Sequence, residues 1–341
     1  MRDVLKAGVV FALLGVLMGG CDRQGASNES GQQAAAGAEM TAPPTDVAAG
    51  PALGADAPAG APGATGAPTE QEAGNATYAG LLDVDGPIAL VGGQWEREPY
   101  APDGASRPRV VVAPGFRATG DLDGDGQDEA VVVLAQSSGG SGTYNYLAAL
   151  DRVDGGVRNV ATVALGDRVD IRSASIDGGT LQVSVLRAGE GDAMCCPGEL
   201  ADLAWTLGAE GFSPAASAGV TGRLSFDTLG NAEWVLREWN FGEVVPEGSE
   251  VTLAYKEGQI VGSNGCNRYF ASIETGEGPG DMTVGPIGAT QMACPDPAST
   301  VEARYMRQLE AATKFGFLLG RLALTYRLDD GAVGAMLFEA Q

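Results

Sequence analysis

Between residues 120 and 130 the chain crowds five carboxylates into nine positions, Asp121, Asp123, Asp125, Asp128 and Glu129. Like charges about 4 Å apart repel by roughly 4 kcal/mol at an effective dielectric of 20, so the stretch either splays its side chains into water or holds a cation among them. Oxygen donors at alternate positions, Asp121, Asp123, Asp125, the Gln127 carbonyl and Glu129, suit a hard divalent ion such as calcium (Ca2+), and Gly126 permits the sharp turn such a loop needs. The stretch is not an EF-hand, because its twelfth position is Val132, which cannot coordinate. A solvated Asp/Gly turn without metal is the alternative.

Sulfur supplies the second chemistry. Cys21 follows Arg2 and Lys6, an apolar run from Ala7 to Met18, and the small residues Gly19 and Gly20. That is the layout of a bacterial lipoprotein signal, with residues 1–20 removed and Cys21 left as the lipidated N-terminus. The run falls short of the roughly 20 apolar residues that span a bilayer. The chain is therefore expected in the cell envelope, lipid-anchored to a bacterial membrane and facing the periplasm, with the leaflet open. The other four cysteines, Cys195, Cys196, Cys266 and Cys294, allow three pairings in an oxidising compartment. Cys266 with Cys294 is preferred, since Cys195 and Cys196 are adjacent and belong to another segment. A bridge closing about 28 residues stabilises by roughly 3 to 4 kcal/mol in the chain-entropy picture. Cys195 and Cys196 could pair with each other, stay as thiols or switch between the two.

Composition narrows the function. The formal charge is −23, so no nucleic acid is expected as a partner, because nothing here neutralises a row of phosphates. There is no histidine, which removes the commonest general base, Ser-His-Asp and Cys-His catalysis, and every His-dependent zinc site.

The elements that must position these groups follow from the patterning. Residues 21–75 are dominated by Ala, Gly, Pro and small polar residues and bury too little to offset ordering entropy, so they are expected to be a disordered tether, on the order of 40 Å end to end. From 76 to 215, short β-branched and aliphatic runs such as Arg109 to Val112, Ala130 to Leu134, Tyr144 to Leu150, Val157 to Leu165 and Leu181 to Leu186 alternate with Gly and Asp clusters. Asp177-Gly178-Gly179 predicts a hairpin. From 229 to 341 more strands follow, with one helix: Ser299-x-x-Glu302 is a capping-box pattern, and Val301, Tyr305, Met306, Leu309, Ala312 and Phe315 recur at helical spacing up to Gly316. Leu322 to Tyr326 and Ala335 to Phe338 close the domain around Asp329-Asp330-Gly331. The expected class is mainly β or α+β, two antiparallel β-rich domains with a core in each.

Several motifs carry resemblances. Trp234-x-Leu236, Gly262-Ser263-Asn264-Gly265-Cys266-Asn267-Arg268-Tyr269, Thr290-Gln291-Met292-Ala293-Cys294 and the helix bearing Glu302 and Leu309 resemble the META domain of HslJ-like proteins. That resemblance implies a compact antiparallel β fold with a helix, linked to heat shock, antibiotic tolerance or envelope stress, and brings no catalytic residues. Asn264, Gly265 and Asn267 are expected to be architectural; the alternative makes Asn267, Arg268 and Tyr269 a binding edge. The acidic stretch resembles the Asp-rich calcium loops of FG-GAP-type repeats, closed by a carboxylate at the ninth position, here Glu129; a single copy argues against a propeller. Gly120-Asp121-Leu122-x-Gly124-Asp125-Gly126, Ala130 to Leu134, Leu165-Gly166-Asp167-Arg168-Val169 and Cys195-Cys196-Pro197 resemble the LppP/LprE type of lipoprotein domain, which implies no defined activity.

The functional expectation is a non-catalytic envelope protein, attached to the membrane through lipid on Cys21, that binds an unknown envelope protein or glycan. An inhibitor of a lytic enzyme such as lysozyme, meeting a basic cleft with acidic loops, is a second reading. A carboxylate-based glycan hydrolase is a third.

Overall fold

The protein is described from a computed structural model at residues 66–99, 104, 106–140, 142–216 and 218–341. The expected signal segment 1–20, the lipidation residue Cys21 and the tether up to residue 65 lie outside the described residues.

The middle domain is built on two antiparallel sheets. The first orders its strands Gln94–Glu96, Arg109–Gly120, Glu129–Ser137, Tyr144–Val153, Gly156–Asp167. Asp170–Asp177, Thr180–Arg187 and Glu199–Gly208 form the second, with Gly211–Pro214 and Gly219–Arg223 both pairing with Glu199–Gly208. Glu129–Ser137 sits at the centre of the first sheet, and its unbroken apolar run follows from that place. Val131 and Val133 face the second sheet, packing with Ile171, Val183, Val185 and Trp205. Val132 and Leu134 face the other way, onto Tyr78, Ile88, Leu90 and Tyr146. A strand covered on both faces has no polar side to alternate with. The domain therefore has a core on each side of this sheet rather than one. The expected hairpin forms at Asp177–Thr180, where Gly178 and Gly179 take φ of 54° and 72°, as a two-residue turn matched to strand twist requires.

The second face is covered by residues 66–99, and part of that cover lies in the stretch expected to be tether. Thr69 caps the short helix Glu70–Ala73 reciprocally with Glu72. Pro68 O accepts from Arg117 at 2.7 Å, and Gly115 N–H donates to Glu70 Oε1 at 2.9 Å. Composition alone had extended the tether to residue 75; the capping box and these hydrogen bonds order the chain earlier.

The C-terminal domain is one ten-stranded antiparallel sheet. Its main path runs Met282–Val284, Arg268–Thr275, Gln259–Ser263, Thr252–Lys256, Trp234–Trp239, Val333–Ala340, Arg321–Arg327, Ala312–Leu318. The ends of the path meet: Asp281 bridges to Lys314, and Phe315 N–H donates to Gly280 O at 2.8 Å. The sheet thus curls around a core of Trp234, Phe317, Leu324 and Phe338, into which the helix Ala298–Glu310 inserts Val301, Tyr305 and Leu309.

Two features of that helix depart from expectation. Its N-cap is Pro297, with no side-chain cap. Ser299 and Thr300 instead donate to Asp296 Oδ1, and Glu302 bonds elsewhere. The helix also ends at Glu310 rather than continuing to Phe315, because Ala312–Leu318 pairs with Arg321–Arg327. Phe315 and Phe317, both buried, alternate on that strand, so a residue that fits the helical period is placed by the strand period instead.

The two domains meet at the turn before Arg321 and again where Gly198 lies against Pro279. Gly320 N–H donates to Ile171 O at 2.9 Å. The Arg172 guanidinium lies 4.6 Å from the centre of the Phe317 ring and donates to Thr228 O at 3.2 Å.

Candidate metal centre

The acidic loop is the hairpin connection between Arg109–Gly120 and Glu129–Ser137, whose ends pair at Gly120 and Glu129. Leu122, almost fully buried, anchors it in the core between the two sheets. A Cβ on Gly120 would stand 2.9 Å from Ile176 Cγ2, so glycine lets the base of the loop lie against the second sheet.

Glu129 is wholly buried. Its Oε2 accepts from Leu122 N–H at 2.7 Å and Asp123 N–H at 3.2 Å, while its Oε1 has no hydrogen-bond partner. Burial pushes this carboxyl up to about 7, and the nearby charges of Asp123 and Asp151 push it the same way, against the two backbone donors. A buried acceptor left unmatched costs about 1 to 3 kcal/mol, more when charged. One carboxylate oxygen from each of Asp121, Asp123 and Glu129 lies within 4.8 Å of the others. The group is made only of hard oxygen donors, so the residues present fit a hard divalent cation.

The remaining positions of the predicted set behave differently. Asp125 stands outside that group: its Oδ1 accepts from Gln127 N–H at 2.7 Å and its Oδ2 from Gln127 Nε2 at 3.1 Å. Asp121 also shapes the loop, accepting from Gly124 N–H at 2.7 Å and Gly126 N–H at 3.1 Å. Asp123 Oδ1 accepts from Asp125 N–H at 3.0 Å. These turns hold Asp121 and Asp123 beside Glu129.

In the C-terminal domain Cys266 and Cys294 are joined by a disulfide with Cα atoms 5.9 Å apart. Beside it, the buried Asn264 and Asn267 meet the half-buried Glu302 in a polar network. Glu302 Oε1 accepts from both Asn264 Nδ2 and Asn267 Nδ2 at 2.9 Å. Asn264 Oδ1 accepts from Cys266 N–H at 3.1 Å and Asn267 N–H at 2.6 Å. Asn267 Oδ1 accepts from Thr290 Oγ1 at 2.8 Å and Met292 N–H at 2.7 Å. Tyr269 is buried and donates to Thr252 O at 3.0 Å, while Tyr305 donates to it at 2.6 Å. Asn267 and Tyr269 lie inside and hold the loop to the helix, so of the three residues weighed as a binding edge Arg268 alone is exposed. No local signal marks Glu302 for this role, since its partners lie 35 and 38 residues upstream.

No curated protein matches the chain. A solved structure described as the NMR structure of the protein from Burkholderia xenovorans aligns at 24% identity over 38% of this chain and 97% of that one, with a TM-score of 0.28. Residues 227–337 match the META domain family, and the C-terminal unit has the META-domain fold.

Proposed function

We propose that this protein is a lipid-anchored component of the bacterial cell envelope with no catalysis of its own. Cys21 carries the anchor, the stretch after it gives reach, and the two β-rich domains bind another envelope protein or glycan, or support the envelope under stress. The META domain supports the envelope setting, as does the signal layout before Cys21. Within this role the loop 121–129 holds one calcium ion through Asp121, Asp123 and Glu129. The ion would supply charge neutralisation and fix the hairpin.

The observation that carries the calcium assignment is the buried Glu129 oxygen without a partner, grouped with two aspartates. Three carboxylates on a surface loop make a weak site, in the range of about 10⁻⁴ to 10⁻³ M that extracellular modules use. Such a site fills only where free calcium approaches millimolar. Calorimetric titration of chelator-treated mature protein with calcium chloride tests it, with Asp123→Asn as the comparison. Uptake of one ion that the variant loses supports the reading, and a flat titration of the parent protein refutes it.

A further inference from the structure

In the middle domain Cys195 Sγ and Cys196 Sγ stand 2.8 Å apart, well inside van der Waals contact for two sulfurs. The loop that presents them is clamped. Asp192 Oδ2 accepts from Gly189 N–H at 2.9 Å and Gly198 N–H at 3.0 Å, binding both ends of the loop at once. Arg223 Nη1 reaches the same oxygen at 2.9 Å, and its Nη2 pairs with Asp192 Oδ1. Cys196 N–H donates to Ala193 O at 2.8 Å, closing a turn around the pair. Both sulfur-bearing residues are partly exposed, so an oxidant can reach them. The loop also adjoins the META domain: a Cβ on Gly198 would stand 2.6 Å from Pro279 Cγ, and Leu224, in the connection between the domains, donates its N–H to Gly198 O at 2.8 Å.

We infer that Cys195 and Cys196 form a reversible vicinal disulfide in the oxidised protein, a redox-labile ring beside the contact between the two domains. The chain already carries one disulfide, Cys266–Cys294, so it matures where thiols are oxidised. The step needs a disulfide-bearing oxidant, such as a thiol oxidase or oxidised glutathione. One thiolate of the pair attacks a sulfur of the oxidant, forming a mixed disulfide and releasing the oxidant's other sulfur as a thiolate. The second thiolate then attacks the first cysteine's sulfur, the new S–S bond forms, and the oxidant leaves as two thiols. Two protons and two electrons leave the protein.

The ring is strained by its own covalent length. Neighbouring Cα atoms across a trans peptide are about 3.8 Å apart, below the ~4.4 Å lower end of ordinary disulfides. Strained and exposed disulfides are the more oxidising, reducible ones. The Cys195–Cys196 bond therefore opens before Cys266–Cys294.

Peptide mapping of the mature protein from an oxidising compartment tests this. Trypsin releases residues 188–223, which contain Cys195 and Cys196 and no other cysteine. After denaturation and maleimide treatment without reductant, this peptide is expected to carry no label and to weigh two hydrogens less than the dithiol. Under native conditions half of it should open at a reductant concentration at least ~10-fold below that which opens Cys266–Cys294. Two labels on the peptide after exposure to oxidised glutathione, or a link to another peptide or chain, would overturn the inference. In Cys196→Ser the remaining Cys195 should take one label without reductant. If it takes none in that variant, its sulfur is bonded elsewhere and the inference fails.

Discussion

Arg152 grips Glu72 across 80 residues of chain with a two-pronged hydrogen bond, Nη1 to Oε1 at 2.9 Å and Nη2 to Oε2 at 2.8 Å. The same guanidinium donates through Nε to Gly66 O at 2.8 Å. This fork fastens the N-terminal cover over the second face of the central sheet.

The fork predicts an acid dependence. Arg152 holds the Glu72 carboxyl down at about 2, against an ordinary value of 4.5. A carboxylate depressed in the folded state stabilises fully above its unfolded value, and that stabilisation is lost as pH falls from about 4.5 to about 2. With the Glu72 side chain 32% exposed, the contribution is discounted to roughly 1 to 2 kcal/mol. Denaturant titrations of Glu72→Gln should show that loss at pH 7 and a much smaller difference from the parent near pH 2.

Asp170 gives the opposite slope. Burial alone pushes it up to about 8 from 3.8. The folded state then holds a proton that the unfolded chain releases, so stability falls as pH rises from about 4 to about 8. Asp170→Asn keeps the shape without the charge. It should flatten that slope and stabilise the protein at pH 8 by on the order of a few kcal/mol, read from melts across the pH range.

The network around Glu302 is expected to matter as much as the disulfide beside it. Asn267→Ala would leave Thr290, Met292 N–H and Glu302 short of partners around a buried side chain at a part-buried site. A loss of about 2 to 3 kcal/mol should follow. Cys294→Ala should cost roughly 3 kcal/mol by loop entropy. Denaturant midpoints of the two variants check both figures.

The proposed anchoring rests on one sulfur, that of Cys21. Cys21→Ser should move the protein from the membrane to the soluble fraction, with no acyl mass on its N-terminus. Retention of the variant in the membrane fraction would show that something other than that lipid holds it.

How much of this was legible in the sequence depends on how local each cause is. The Asp177 to Thr180 hairpin could be read because Gly178 and Gly179 meet a backbone demand set within four residues. The middle of the strand Glu129–Ser137, Ala130 to Leu134, was equally plain, since burial on both faces leaves an apolar run. The helix start was misread because a Ser-x-x-Glu spacing says nothing of Asn264 and Asn267, which draw Glu302 away from the cap. Its end was misread because Phe315 satisfies both a 3.6-residue and a two-residue period, and only pairing with Leu324 decides between them. In the acidic loop, spacing singled out alternate oxygens but could not show that Asp125 bonds Gln127 while Glu129 is buried with an oxygen unmatched. That difference is made by Leu122 pulling the loop into the core, a tertiary cause.

The most direct test of the account is the melting temperature of the mature protein in about 10 mM calcium and in chelator, beside the variant Glu129→Gln. Binding at a Kd of about 1 mM should raise the parent's midpoint by roughly 3 to 5 °C. Glu129→Gln should fold and show no such rise. Equal midpoints of the parent protein in calcium and chelator, or an undiminished rise in the variant, would contradict the assignment of a cation to Asp121, Asp123 and Glu129.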